Sequence, residues 1–129
     1  MNRELSRAVR ERAAHRCEYC SLPQSSFPLP FQMDHVRAEK HGGETIESNL
    51  ALACTHCNRH KKPNIAGFDA ETGQVVRLFN PRMDIWGQHF EEDGPRLRGK
   101  TAIGRVTVDV LGMNGADRIL VRSALLKED

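Results

Sequence analysis

Apolar positions recur along the first fifteen residues at spacings of three and four. Leu5, Ala8, Val9 and Ala13 fall on one side of a helical wheel, and Arg3, Arg7, Arg10 and Arg12 lie largely elsewhere. That periodicity predicts an amphipathic helix within residues 3–15. Ser21 to Pro30 holds three prolines and three serines and reads as loop. Phe31 to Val36 predicts a short strand, the polar stretch Arg37 to Ser48 with Gly42-Gly43 near its centre a long loop, and Leu50 to Ala53 a second apolar run. Thr55 is placed to cap a helix running to about Lys61, which Pro63 ends. Further on, Asp69 to Gly73 predicts a turn and Val75 to Phe79 a strand. Trp86–Phe90 and Arg96–Arg98 predict a hairpin turned at Glu92-Asp93-Gly94. Two helices, near 102–112 and 116–127, close the chain, the second with Ile119, Leu120, Ala124 and Leu125 as its apolar side. Phe79, Trp86 and Phe90 read as the core of this C-terminal part.

A chain of 129 residues fits one domain. Its aromatics amount to 5% against 28% charged residues, so large core side chains are scarce and a further stabilising device is expected. No run approaches the roughly 20 apolar residues of a membrane span, and the charged start does not read as a signal peptide, so a cytoplasmic protein is expected. In that reducing setting the four cysteines point to metal rather than to disulfides. Cys17-x2-Cys20 and Cys54-x2-Cys57 stand 33 residues apart. Two such knuckles can close an all-cysteine structural zinc site, whose apparent binding free energy of about 10–16 kcal/mol compensates for a thin core. Charge alone says little: the net +2 counts the cysteines as neutral, and four thiolates on zinc carry about −2. Its distribution says more. Residues 1–65 hold ten Lys/Arg against seven Asp/Glu and residues 66–129 nine against ten, which puts any polyanion site in the first half.

From between the knuckles onward come Asp34-His35, then Asn49 after 13 intervening residues, then Asn58 after eight more, beside the last cysteine. Together with Gly42, Gly43, Leu50 and Lys61, in this order and spacing, these residues resemble the HNH (His-Asn-His) nuclease family. The resemblance covers about residues 14–62. It implies a zinc-stapled ββα-metal (His-Me finger) module of α+β class, carrying an N-terminal helix and extended over about 66–129 by a hairpin and helices. The whole of 1–129 is then a single endonuclease domain.

In this family the resemblance makes His35 a general base and Asn49 the residue that orients the imidazole. It gives Asp34 and Asn58 to a divalent catalytic metal, Mg2+ or Mn2+ or a similar ion. An imidazole titrates near neutrality and can take a proton from water, and an amide oxygen suits a hard cation. The family commonly has His where Asn58 stands, and His60 is the alternative ligand. Residues two apart on a helix point about 200° apart, so Asn58 and His60 cannot serve one site equally. Asp34 and His35, adjacent in a strand, can share a site only where the strand bends or ends. Arg59, Lys61, Lys62 and His41 are candidates for contacts to nucleic-acid phosphates. The expected substrate is DNA, double-stranded, with no membrane partner and an open oligomeric state. Two rival readings remain, a zinc-knuckle nucleic-acid-binding module without catalysis and a zinc-stapled protein-interaction domain.

Overall fold

A computed structural model describes residues 2–128. Helix α1 (Arg3–Arg12) begins where the Asn2 side chain accepts the Leu5 amide at 2.7 Å, and it buries Val9. Its outer arginines are not idle. Arg10 donates to Phe31 O at 3.0 Å, and Arg12 donates to Glu47 O and Leu50 O, which lays the helix across the strands that follow.

Strands β1 (Gln32–His35) and β2 (Leu50–Ala53) pair antiparallel, with Asp34 opposite Ala51 and His35 opposite Leu50. All four residues of β2 are buried, as a continuous apolar run covered on both faces should be. Helix α2 (Thr55–Lys61) follows directly. Its cap is Cys54 rather than Thr55, because the Cys54 sulfur accepts the Cys57 amide at 3.3 Å. The knuckle turn and the helix start are therefore one structure.

The C-terminal part is built from hairpin β3 (Ala66–Phe68) and β4 (Val75–Arg77), short helix α3 (Trp86–His89), hairpin β5 (Phe90–Asp93) and β6 (Arg96–Gly99), and helices α4 (Ala102–Val110) and α5 (Ala116–Lys127). Two expectations need correction here. Trp86–His89 is helical, and the hairpin starts only at Phe90 with its turn at Gly94-Pro95. The indole fixes this: Trp86 Nε1 donates to Tyr19 O at 2.8 Å, a tertiary contact that outranks strand propensity. The buried face of α5 also differs from the apolar one, since Leu120 is 71% exposed while Arg118 and Arg122 are buried.

One core serves both parts. Tyr19, Phe79 and Phe90 pack edge to face, Val106, Leu111 and Met113 fill the space under α4, and Phe79 N donates to Thr107 Oγ1 at 2.8 Å. Gly104 is needed where α4 crosses the chain, because a Cβ there would stand 1.9 Å from His89 O. Among the described residues no helix is long and apolar enough to cross a membrane.

Candidate active site and zinc centre

The four cysteines are fully buried, with all four sulfurs within 4.8 Å of one another. Zinc–sulfur bonds of about 2.3 Å in a tetrahedron set sulfurs about 3.8 Å apart, and Cys20 Sγ lies 3.8 Å from Cys54 Sγ. Each knuckle also turns an amide onto its first sulfur, Cys20 N to Cys17 Sγ at 3.5 Å and Cys57 N to Cys54 Sγ at 3.3 Å. Neighbouring S–H donors pull the Cys54 thiol well down, whereas burial holds Cys17 up and the hydrogen-bonded neighbouring cysteines hold Cys57 up. Four thiolates so crowded require a dication. The donor set, spacing and burial fit zinc, and the cluster is a zinc site.

Helix α5 answers the charge of that cluster. Arg118 Nη1 lies 3.9 Å from Cys54 Sγ, while Arg122 donates to Met113 O at 2.8 Å and Pro95 O at 3.3 Å. Buried arginines are tolerated only beside compensating charge, and four zinc-bound thiolates are such a charge. This is why the cationic side of α5 faces inward.

Strand β1, paired with β2, presents the candidate chemistry. Side chains alternate along it, and the neighbours of Asp34 and His35 differ accordingly. Asp34, 5% exposed, accepts the Tyr19 hydroxyl at 2.6 Å and faces Lys61 Nζ at 3.2 and 3.4 Å. Burial pushes its carboxyl up, opposed by Lys61 and Tyr19. Burial and the Asp34 charge likewise push the Tyr19 phenol up, so it stays a donor. His35, the last residue of β1, instead places Nε2 at 2.9 Å from Thr45 Oγ1 and 3.9 Å from Glu39 Oε1.

Asn49 does not reach the imidazole. Its amide accepts from Arg37 N at 2.9 Å and donates to Arg37 O at 3.0 Å and Glu44 O at 2.8 Å. It closes the loop that carries Thr45, so it acts on His35 one step removed. Gly43 makes that closure possible, since a Cβ there would fall 1.6 Å from Arg37 O and 2.9 Å from Asn49 Nδ2. Thr45 was not predicted from the sequence. Only its place between the Gly-Gly pair and Asn49 hints at it.

Asn58 Nδ2 donates to Gln32 Oε1 at 2.6 Å, and Gln32 shares with Asp34 the face of β1 turned toward α2. His60 points elsewhere, stacked on His56 at 4.0 Å with a ring nitrogen 2.8 Å from His56 O. Arg59, Lys62 and His41 are exposed, but Lys61 is 2% exposed and withdrawn from any phosphate at the surface. Its ammonium reaches His35 O at 3.2 Å and Val36 O at 3.3 Å as well as Asp34, which together satisfy it inside. A carboxylate and an amide on facing elements are hard oxygen donors of the kind a divalent cation takes. Asp34 and Asn58 are the residues that would hold it.

A zinc-knuckle ββα unit with a histidine at the end of its first strand defines the class, and residues 17–64 match the family model described as HNH endonuclease; this segment is an HNH domain. Among curated proteins the chain is similar to the Septu protein PtuB of Bacillus thuringiensis, 25% identical over 121 residues, which cover 92% of this chain and 44% of that protein. The chain thus spans less than half the length of that relative. No solved structure matches significantly.

Proposed function

We propose that the chain is a metal-dependent endonuclease that hydrolyses DNA phosphodiester bonds in the cytoplasm, with double-stranded DNA as substrate. The observation that carries this reading is the seating of His35. It stands at the end of β1, its ring Nε2 held by Thr45 Oγ1 on a loop that Asn49 and Gly43 close. In this reading His35 accepts the proton of the attacking water. Thr45 fixes the ring so that the accepting nitrogen faces the substrate, and Glu39 steadies the imidazolium that forms. Asp34 and Asn58 hold the divalent ion, which when bound offsets charge on the phosphate and on the departing 3′ oxygen. Arg59 and Lys62 give the duplex backbone non-specific contacts.

Plasmid DNA with Mg2+ or Mn2+ tests this. Nicking or linearisation is expected from the unaltered chain and not from His35→Ala. A chain that binds DNA but leaves the plasmid intact under every divalent ion would make it a zinc-knuckle binding module instead.

A further inference from the structure

We infer that Lys61 is a resident counter-ion that keeps divalent metal affinity at Asp34 low until a substrate phosphate arrives. The inference rests on the reading of Asp34 and Asn58 as the metal-binding pair, and deepens it. Lys61 Nζ sits in a cage of oxygens: Asp34 Oδ2 at 3.2 Å and Oδ1 at 3.4 Å, His35 O at 3.2 Å and Val36 O at 3.3 Å. The Lys61 side chain is 2% exposed and that of Asp34 6%, so water screens the pair poorly. Helix α2 also sets the register: Asn58 lies against Gln32, and Lys61, three residues and about one turn on, lies against Asp34. The strand's one buried carboxylate therefore meets an ammonium before it meets any metal.

Charge counting gives the consequence. Asp34 contributes −1, Lys61 +1 and the Asn58 amide nothing, so a dication approaches a neutral ligand set with a like charge beside it. A phosphodiester at the same place supplies the missing negative charge and further oxygen ligands, as hard cations with few protein ligands require. Metal and substrate should therefore bind with positive coupling, each tightening the other by the same factor. Tyr19 keeps the carboxylate fixed throughout, because its hydroxyl occupies Asp34 Oδ2 from the protein side.

The test reads bound Mn2+ by electron paramagnetic resonance, not cleavage. Mn2+ is titrated into the zinc-loaded chain, into Lys61→Met and into Asp34→Asn, and into His35→Ala with and without a short DNA duplex, the duplex's own Mn2+ binding being subtracted. Lys61→Met is expected to tighten Mn2+ at least tenfold and Asp34→Asn to abolish that site. The duplex is expected to tighten Mn2+ at least tenfold on His35→Ala, which retains the residue-35 carbonyl. Equal affinity with and without duplex overturns the proposal, even where Lys61→Met fails to fold. Unchanged affinity in a folded Lys61→Met overturns it as well. If the chain never cleaves DNA yet shows these shifts, the endonuclease reading fails and the counter-ion role stands.

Discussion

Residues 17–64 and the part that follows solve the same problem by different means. The first segment gives Tyr19, Leu22, Phe31, Leu50 and Leu52 to the core, and its elements are held besides by four sulfurs, a short hairpin and side chains that bond backbone: Asn49 to the loop, Arg12 to β2, Lys61 to the end of β1. The second is packed from Phe79, Phe90, Leu97, Val106, Leu111 and Met113, with ion pairs such as Asp69–Arg105 at its edge. A metal fixes geometry with few residues and leaves strand ends and loops free to carry chemistry. Apolar packing needs whole faces, and the candidate chemistry is absent from that part.

The comparison breaks most visibly if the metal is removed. Elemental analysis is expected to find one zinc per chain, and Cys57→Ser or strong chelation to unfold the first segment, since about 10–16 kcal/mol of apparent binding free energy goes with it. Helix α5 should loosen at the same time, because Arg118 and Arg122 would lose the charge they were buried against. Protection of α5 amides from exchange that survives zinc removal would show the C-terminal part to be self-sufficient.

A cut of the second rank concerns chemistry without stability. His35→Ala is expected to lower cleavage about 10²–10⁴-fold, the ordinary contribution of a general base. Its side chain is 19% exposed and outside the core, so the thermal midpoint should hardly move. A large loss of stability in that variant would make His35 part of the scaffold.

Helix phase sharpens the first segment further. Asn58→Ala should weaken metal-dependent cleavage strongly, whereas His60→Ala, which only removes a ring stacked on His56, should leave most of it. The reverse ranking, read from initial rates across a Mn2+ series, would move the ligand to His60.

Legibility in the sequence followed the same division. Knuckle spacing, the β1 and β2 runs and α2 are local signals, and the structure has them where the pattern put them. What was hidden depends on partners distant in sequence. Trp86 joined a helix because its indole reaches Tyr19, and α5 turned its arginines inward because thiolates lie there. Lys61 reads as a surface cation until Asp34 is known to face it. Thr45 lacks a motif of its own, and the loop closed by Asn49 is what brings it to the imidazole.

The smallest effect belongs to the C-terminal part, at the β3–β4 turn. Asp69, 2% exposed, accepts from Arg105 Nε at 3.0 Å and Nη2 at 2.9 Å and from Thr72 Oγ1 at 2.9 Å, joining the turn to α4. The Arg105 guanidinium, helped by Thr72, holds its carboxyl down at about 2, below the roughly 3.9 of an unfolded aspartate. A carboxylate lowered on folding contributes stability above its unfolded value and loses it as pH falls through the folded one. The gap in thermal midpoint between the unaltered chain and Asp69→Asn should therefore be constant from neutrality to about pH 4 and should close between about pH 4 and 2. The same measurement on Arg105→Gln should give a gap at least as large, since that variant removes the contact to Glu71 Oε2 at 2.7 Å as well as the one to Asp69. A gap that instead closed near neutral pH would place the controlling group outside the Asp69–Arg105 pair.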